Sequence, residues 1–349
     1  MKKSLLALAA LTAFAGAASA QSSVTLFGVV DVAGTYIDND QASKYLLASS
    51  GNSSSRLGFR GVEDLGGGLR AGFWLEASIA PDDGGTTFNF QRRSTISLLA
   101  SWGELRLGRD YTPTFWNWTI FDPFGTNGVG SSTNLALATN EVPGSTFNTL
   151  VRANNTIGYF LPAMGGLYGQ AMVAAGEGET GNKFMGGRIG FASGPFDVAA
   201  SYGITEFNSS IDFTNYNVAG SWNFGFMKLS GFYSMIDADN NLFTQKNWFV
   251  GATVPMGAFT FKASYGNGER SNGPVASLVV PQGFARGTGE QIALGATYDL
   301  SKRTALYGTY SMISNSDGAR YRVFGGVNAL PQAANRDSSG YQIGVRHSF

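Results

Sequence analysis

Apolar and polar residues alternate with a period of two through segment after segment of this chain, and no other feature restricts its fold as much. Successive side chains of a strand point to opposite faces, so strict alternation means extended segments with one apolar and one polar side. In Val24–Tyr36, Val24, Leu26, Val30 and Val32 share a face against Thr25 and Asp31. In Leu69–Ile79, Leu69, Ala71, Phe73, Leu75, Ala77 and Ile79 oppose Arg70, Gly72, Trp74, Glu76 and Ser78. The pattern recurs at residues 91–100, 154–161, 166–174, 182–191, 196–205, 215–223, 226–236, 247–254, 259–265, 290–298 and 304–313. Shorter runs at Ser55–Gly61 and Gly103–Gly108, with the terminal run from Tyr341, bring the reading to sixteen strands.

The connections alternate in length. Tight ones rich in Gly, Pro, Asn or Asp fall at Asp64–Gly67, Ser101–Gly103, Pro162–Gly165, Ser193–Pro195, Asn223–Gly225, Pro255–Gly257 and Asp299–Lys302, as hairpin turns require. Longer polar stretches intervene, among them Asp38–Ser54, Thr112–Val151, Asn267–Gly287 and Asn315–Ser339. Seven tight turns and eight long loops are what sixteen antiparallel strands need. Short turns at one rim and long loops at the other form the pattern of a transmembrane barrel. An exported β-sandwich or propeller is the soluble alternative; it predicts no systematic alternation of turn length, and no blade-length repeat is visible. The expected fold is therefore all-β: a 16-stranded antiparallel transmembrane β-barrel.

The ending fits that fold. Tyr341, Ile343, Val345 and Phe349 share one face and Gln342, Gly344, Arg346 and Ser348 the other. A barrel in lipid must complete its last strand, because an open edge in hydrocarbon leaves backbone groups unpaired. This strand is expected to close the barrel against the one beginning at Val24, with Phe349 at the short-turn rim.

Residues 1–20 read as a cleaved secretory signal: Lys2 and Lys3, an apolar stretch from Leu5 to Phe14, and Ala18-Ser19-Ala20 before Gln21. Residues 21–349 then form a single barrel domain. Losing Lys2 and Lys3 leaves two more acidic than basic residues, which argues against a nucleic-acid partner. The absence of cysteine excludes thiol nucleophiles and zinc–cysteine sites. No later segment reaches the roughly 18–20 apolar residues of a membrane helix.

Two constellations carry the function. The stretch 112–151 is too long for a plain connection and, with Trp116, Trp118, Phe121, Phe124 and Phe147, too aromatic for a disordered linker. Folded into the lumen, it would narrow the channel and bring Asp122 and Glu141 with it; the alternative is an external loop that caps the barrel or touches a neighbouring subunit. The second constellation is arginine. Alternation places Arg56, Arg60, Arg93 and Arg152 on the inward side, where they would face the loop carboxylates and create a transverse field. Charge clusters at a constriction are how pores select. The plainer reading is that inward positions of any large barrel are polar. Arg92, of opposite parity, reads as a rim residue, while Asp31 and Glu76 point inward as partners for the arginines.

The chain resembles the general porins of Gram-negative outer membranes, in their beta-proteobacterial branch. The resemblance lies in Ser23-Val24-Thr25-Leu26-Phe27-Gly28, Ser55-Arg56-Leu57-Gly58-Phe59-Arg60-Gly61 and Leu107-Gly108-Arg109-Asp110-Tyr111-Thr112-Pro113. It continues in Asp122-Pro123-Phe124-Gly125, in Arg152-Ala153-Asn154-Asn155-Thr156-Ile157-Gly158-Tyr159 and in the ending Gly344-Val345-Arg346-His347-Ser348-Phe349. It implies a homotrimer in contact with outer-membrane lipid and lipopolysaccharide, and a third loop folded into each pore. It also implies a terminal Phe349 strand read by the barrel-assembly machinery. By position, Arg56, Arg93 and Arg152 match the family's constriction arginines, and Asp122 stands where its loop contributes acid. This loop has few carboxylates beyond Asp110, Asp122 and Glu141, so the sign of charge selectivity stays open.

No catalytic constellation emerges. The one histidine, His347, falls on the outward face beside the chain end, which leaves no triad and no His-rich metal site. Gly66-Gly67-Gly68 lacks the Gly-Lys-Ser ending of a phosphate loop and reads as a hairpin turn. The expectation is a passive, water-filled channel for ions and small hydrophilic solutes, without cofactor or metal. Its charge selectivity would come from an arginine cluster facing an acidic loop. A barrel enzyme, an adhesin and a substrate-specific channel are the competing readings.

Overall fold

The computed structural model describes residues 23–85, 88–136, 148–178, 181–208, 211–239, 242–272, 286–323, 330 and 332–349. The leader, Gln21, Glu141 and Phe147 lie outside the described residues. The wall begins with β1 (Ser23–Asp38), β2 (Ser43–Ser49), β3 (Arg56–Gly66), β4 (Leu69–Ser78), β5 (Arg93–Ala100) and β6 (Gly103–Tyr111). After a long connection come β7 (Arg152–Phe160), β8 (Leu167–Ala174), β9 (Lys183–Ser193), β10 (Phe196–Asn208), β11 (Ile211–Asn223) and β12 (Lys228–Ala238). The last five are β13 (Phe243–Met256), β14 (Phe259–Asn272), β15 (Gly287–Asp299), β16 (Thr304–Ser316) and β17 (Ser338–Ser348).

Every pairing is antiparallel, all but those of β1 with β3 and β17 join chain neighbours, and β17 pairs with β1 in the register Val30↔His347, Val32↔Val345 and Tyr36↔Tyr341. Gly28 and Phe349 exchange both backbone hydrogen bonds at 3.1 Å, so the terminal residue completes the seam. β2 pairs with the far half of β1 (Val32↔Ser49) and β3 with its near half (Val29↔Arg56). These two are halves of one wall strand interrupted at Ser50–Ser55, and the seventeen segments thus make a closed 16-stranded barrel.

The interruption corrects one expectation, since Asp38–Ser54 is not a long loop. Asn39 Oδ1 accepts from the backbone N–H groups of Gln41 and Ala42, making a tight turn, and Ser43–Ser49 returns as strand. The break itself is organised by Asp31, whose buried carboxylate accepts from the N–H groups of Gly51, Asn52 and Ser53 and from the Tyr307 hydroxyl. Asp31 thus holds backbone and not an arginine. The rim opposite the tight turns also contains shorter links than the alternation predicts. β10 and β11 pair out to Asn208↔Ile211, β12 and β13 to Ala238↔Phe243, and β14 runs on to Asn272. Polar strand ends there carry too little apolar alternation to be read as strand.

The apolar faces point outward: Leu26, Ile96, Ile157, Ile189, Val218, Val250, Leu294 and Ile343 are all more than half exposed on the isolated chain. Such a belt suits a lipid surround. Among the described residues no helix is long and apolar enough to cross a membrane.

Candidate functional site

The connection between β6 and β7 starts with a helix, α1 (Pro113–Phe121). Pro113 sits in the first turn, where its missing N–H costs nothing; Asp122 closes the helix with its N–H on the Trp118 carbonyl, and Pro123 stops it. The helix is apolar nearly all round, so it must be covered. It packs on β8 to β12, against the face opposite the exposed apolar belt. Phe115, Trp118 and Phe121 form a cluster there with Ala199, Ala219, Phe232 and Phe249. The Trp118 and Phe232 rings are 4.2 Å apart. Asn117, fully buried, donates to Asn217 at 2.7 Å, and Asn217 donates back to the Thr114 carbonyl at 2.9 Å.

Beyond the helix, the segment to Ala136 continues along the same wall, where glycines make room. A Cβ on Gly295 would stand 2.8 Å from the Phe124 ring, one on Gly268 would stand 2.9 Å from the Leu135 carbonyl oxygen, and one on Gly251 would collide with Pro123. Gln342 accepts from Val129 N–H at 2.9 Å, while Gln291 donates to the Ser131 carbonyl and Asn247 to that of Leu135. At the tip, Ser54 donates to Asn127 at 2.7 Å, joining the loop to the break that precedes Arg56.

Asp122 departs from its expected position in the channel. Only 5% exposed, it accepts from the N–H groups of Phe124, Thr126 and Ser132 and from the Ser132 hydroxyl. Burial pushes its carboxyl above the ordinary carboxylate range, against the lowering effect of those hydrogen bonds. Its position just past the helix end, in Asp122-Pro123-Phe124-Gly125, makes it the knot of the loop, with its carboxylate enclosed by the loop's own donors.

The arginines gather on the arc from β3 to β7. Arg92 reaches Glu76 at 2.6 Å, and Arg56 stands 4.0 Å from the same carboxylate. Arg92 therefore belongs to the cluster and not to the rim: it precedes β5, where strand parity does not apply. Arg93 lies 3.8 Å from Asp110 and 4.5 Å above the Trp74 ring. Arg152 donates to the Arg92 carbonyl at 2.7 Å and to the Tyr111 hydroxyl at 2.9 Å, with its guanidinium 4.3 Å over the Tyr111 ring. Arg60 stands apart, against the Phe27 and Trp74 rings, four residues further toward the short-turn rim than Arg56.

Further lumen cations escaped the sequence reading, among them Arg106, Arg346 and Lys262. Arg106 pairs with Glu104 at 2.7 Å and with Asp110 at 2.5 Å. Arg346 on β17 donates to Asn52 at 2.9 Å, and Lys262 on β14 lies 5.8 Å from the Phe124 ring. Parity could have found all three, because Leu105 and Leu107 flank Arg106, Phe261 and Ala263 flank Lys262, and Val345 precedes Arg346. On the arc, Arg56, Arg60, Arg92, Arg93, Arg106 and Arg152 outnumber Glu76, Glu104 and Asp110. The opposite wall, covered by the loop, adds Lys262 and hides Asp122. Among the described residues no group of three or more His, Asp or Glu is placed to hold a metal ion.

A family model described as "Gram-negative porin" matches residues 7–318 of the chain. Outer membrane porin protein 32 of Delftia acidovorans is 39% identical over 368 aligned positions, covering all of both chains. Among solved structures, an anion-selective porin from Comamonas acidovorans superposes with a TM-score of 0.82 at 34% identity, covering 94% of this chain and 100% of the other. OmpT of Vibrio cholerae, solved in a trimer form, shares the fold at 15% identity with a TM-score of 0.68, covering 94% of this chain and 99% of its own.

Proposed function

Because this chain belongs to the Gram-negative porin family, we propose that it forms a passive, water-filled, anion-preferring channel for ions and small hydrophilic solutes. It is an outer-membrane porin and not an enzyme. One observation carries the anion preference: the arc of guanidinium groups from Arg56 to Arg152 exceeds its carboxylates in number, and the facing loop keeps Asp122 buried. A low-dielectric wall lined by one sign of charge raises the local concentration of the opposite ion. The anion selectivity of the Comamonas porin agrees with this reading.

Arg56, Arg93 and Arg152 are the constriction residues of this proposal, with Arg92 and Arg106 held beside them, Lys262 facing them and Arg60 one level removed. The loop from Pro113 to Ala136 narrows the lumen between the two walls. A homotrimer in lipid and lipopolysaccharide, with the Phe349 strand as the signal read by the barrel-assembly machinery, completes the proposal. The trimer form of the Vibrio protein supports the first of these.

Purified protein in planar bilayers tests the function. Ohmic steps of reproducible size support a diffusion channel, and no conductance at all overturns it. Across a potassium chloride gradient the reversal potential is expected on the chloride side; a potassium-directed value overturns the anion preference.

A further inference from the structure

Inward-facing positions of a water-filled barrel are ordinarily polar, yet Val62 on β3 and Leu99 on β5 share the inward parity of Arg60 and Arg93. They meet over Gly72 of β4, whose missing side chain opens the space between them: a Cβ there would stand 3.3 Å from Leu99 Cδ1 and 3.8 Å from Val62 Cγ2. Val62 is 45% exposed and so presents hydrocarbon to the lumen. The recess holds about 380 Å³; Trp74, Val62 and Leu99 are part of its lining, and Arg60, Arg93, Arg106 and Glu104 form its charged edge.

The charges of that edge are unequal. Arg93 and Arg106 share Asp110, and Arg106 also holds Glu104. Arg60 forms no ion pair among the described residues; its guanidinium lies 5.1 Å from the Trp74 ring centroid and 5.3 Å from that of Phe27. The two rings are themselves 5.0 Å apart and so lie to one side of the guanidinium, which leaves N–H groups on its other side for an oxyanion, bound by a guanidinium in a bidentate manner. Four residues of strand separate Arg60 from Arg56, about 13 Å at about 3.3 Å per residue, so the recess extends from the constriction toward the short-turn rim and shares Arg93 with it.

We infer that the recess binds small organic monocarboxylates with an apolar body, the carboxylate on Arg60 and the body on Trp74, Val62 and Leu99. The inference rests on the channel reading and adds a solute class to it. Binding is shallow, as conduction requires: a permeant solute must leave as readily as it enters.

Current through single channels in potassium chloride, with sodium benzoate, sodium acetate or benzyl alcohol added to both sides, tests the site. Benzoate is expected to block at a concentration about tenfold lower than acetate, the difference that burial of part of one ring supplies. Arg60→Gln is expected to raise the benzoate value severalfold, and Val62→Asn with Leu99→Gln to erase the benzoate–acetate difference at unchanged chloride preference. Equal block by benzoate and acetate overturns the inference, as does a difference that survives Val62→Asn with Leu99→Gln. Benzyl alcohol blocking as strongly as benzoate removes the role of Arg60. A cation-directed reversal potential in plain potassium chloride overturns the anion preference instead, and the two failures are read from separate measurements.

Discussion

The Ser54 hydroxyl donates to Asn127 Oδ1 at 2.7 Å across 73 residues of sequence, tying the tip of the lumen loop to the strand break that introduces Arg56. Arg56 in turn donates to the Ser54 carbonyl at 2.9 Å. The arginine wall and the loop that faces it are therefore one mechanical unit, anchored at the break in the second wall strand.

Removing that tie loosens the loop without removing charge. Ser54→Ala costs about 1 kcal/mol of local stability, the net worth of one hydrogen bond. Open-channel current noise is expected to rise while the reversal potential stays fixed. Unchanged noise would show that the loop tip is held by Gln342 and Asp122 alone.

Charge on the two walls is expected to act in the same direction. Arg93→Gln, Arg152→Gln and Lys262→Gln each shift the reversal potential in a salt gradient toward cations. Arg152 has the largest effect because it donates to a carbonyl and a hydroxyl, whereas Arg93 stands 3.8 Å from Asp110. A variant without a shift places its residue outside the permeation path.

Asp122→Asn separates structure from charge. The Asp122 oxygens accept from the Phe124, Thr126 and Ser132 N–H groups and from the Ser132 hydroxyl, and an amide turns its own donors toward some of them. Leaving such donors unmatched costs about 1–3 kcal/mol each, so chymotrypsin is expected to cut the loop faster in detergent. Selectivity is expected to stay as it is, because this group is hidden from the lumen. A strong shift toward anions would return Asp122 to the pore.

Gly251→Leu tests the seating of the loop. A side chain there takes the space of Pro123, and overpacking of this kind costs about 1–3 kcal/mol. With the loop pushed off its wall and into the lumen, single-channel conductance is expected to fall. An unchanged conductance would mean that the segment from Pro123 onward does not limit the pore.

The sequence by itself determined the barrel. Period-two alternation fixes which face of each strand meets lipid, because a slip of one residue turns every side chain over; Val24, Leu26, Val30, Phe73, Tyr341, Ile343, Val345 and Phe349 are exposed as predicted, while the small Ala77 on the same face is covered. It also placed Arg56 and Arg93 in the lumen, for the same reason. Only the tertiary structure decided where parity has no hold. Arg92 precedes its strand and turns to Glu76, and Asp31 folds the break at Gly51–Ser53 around its carboxylate. Asp122 sinks into the loop because three N–H groups and a hydroxyl converge on it. The path of α1 was equally illegible: it is fixed by Ala199, Ala219, Phe232 and Phe249, residues from four strands that become one surface only when the wall closes.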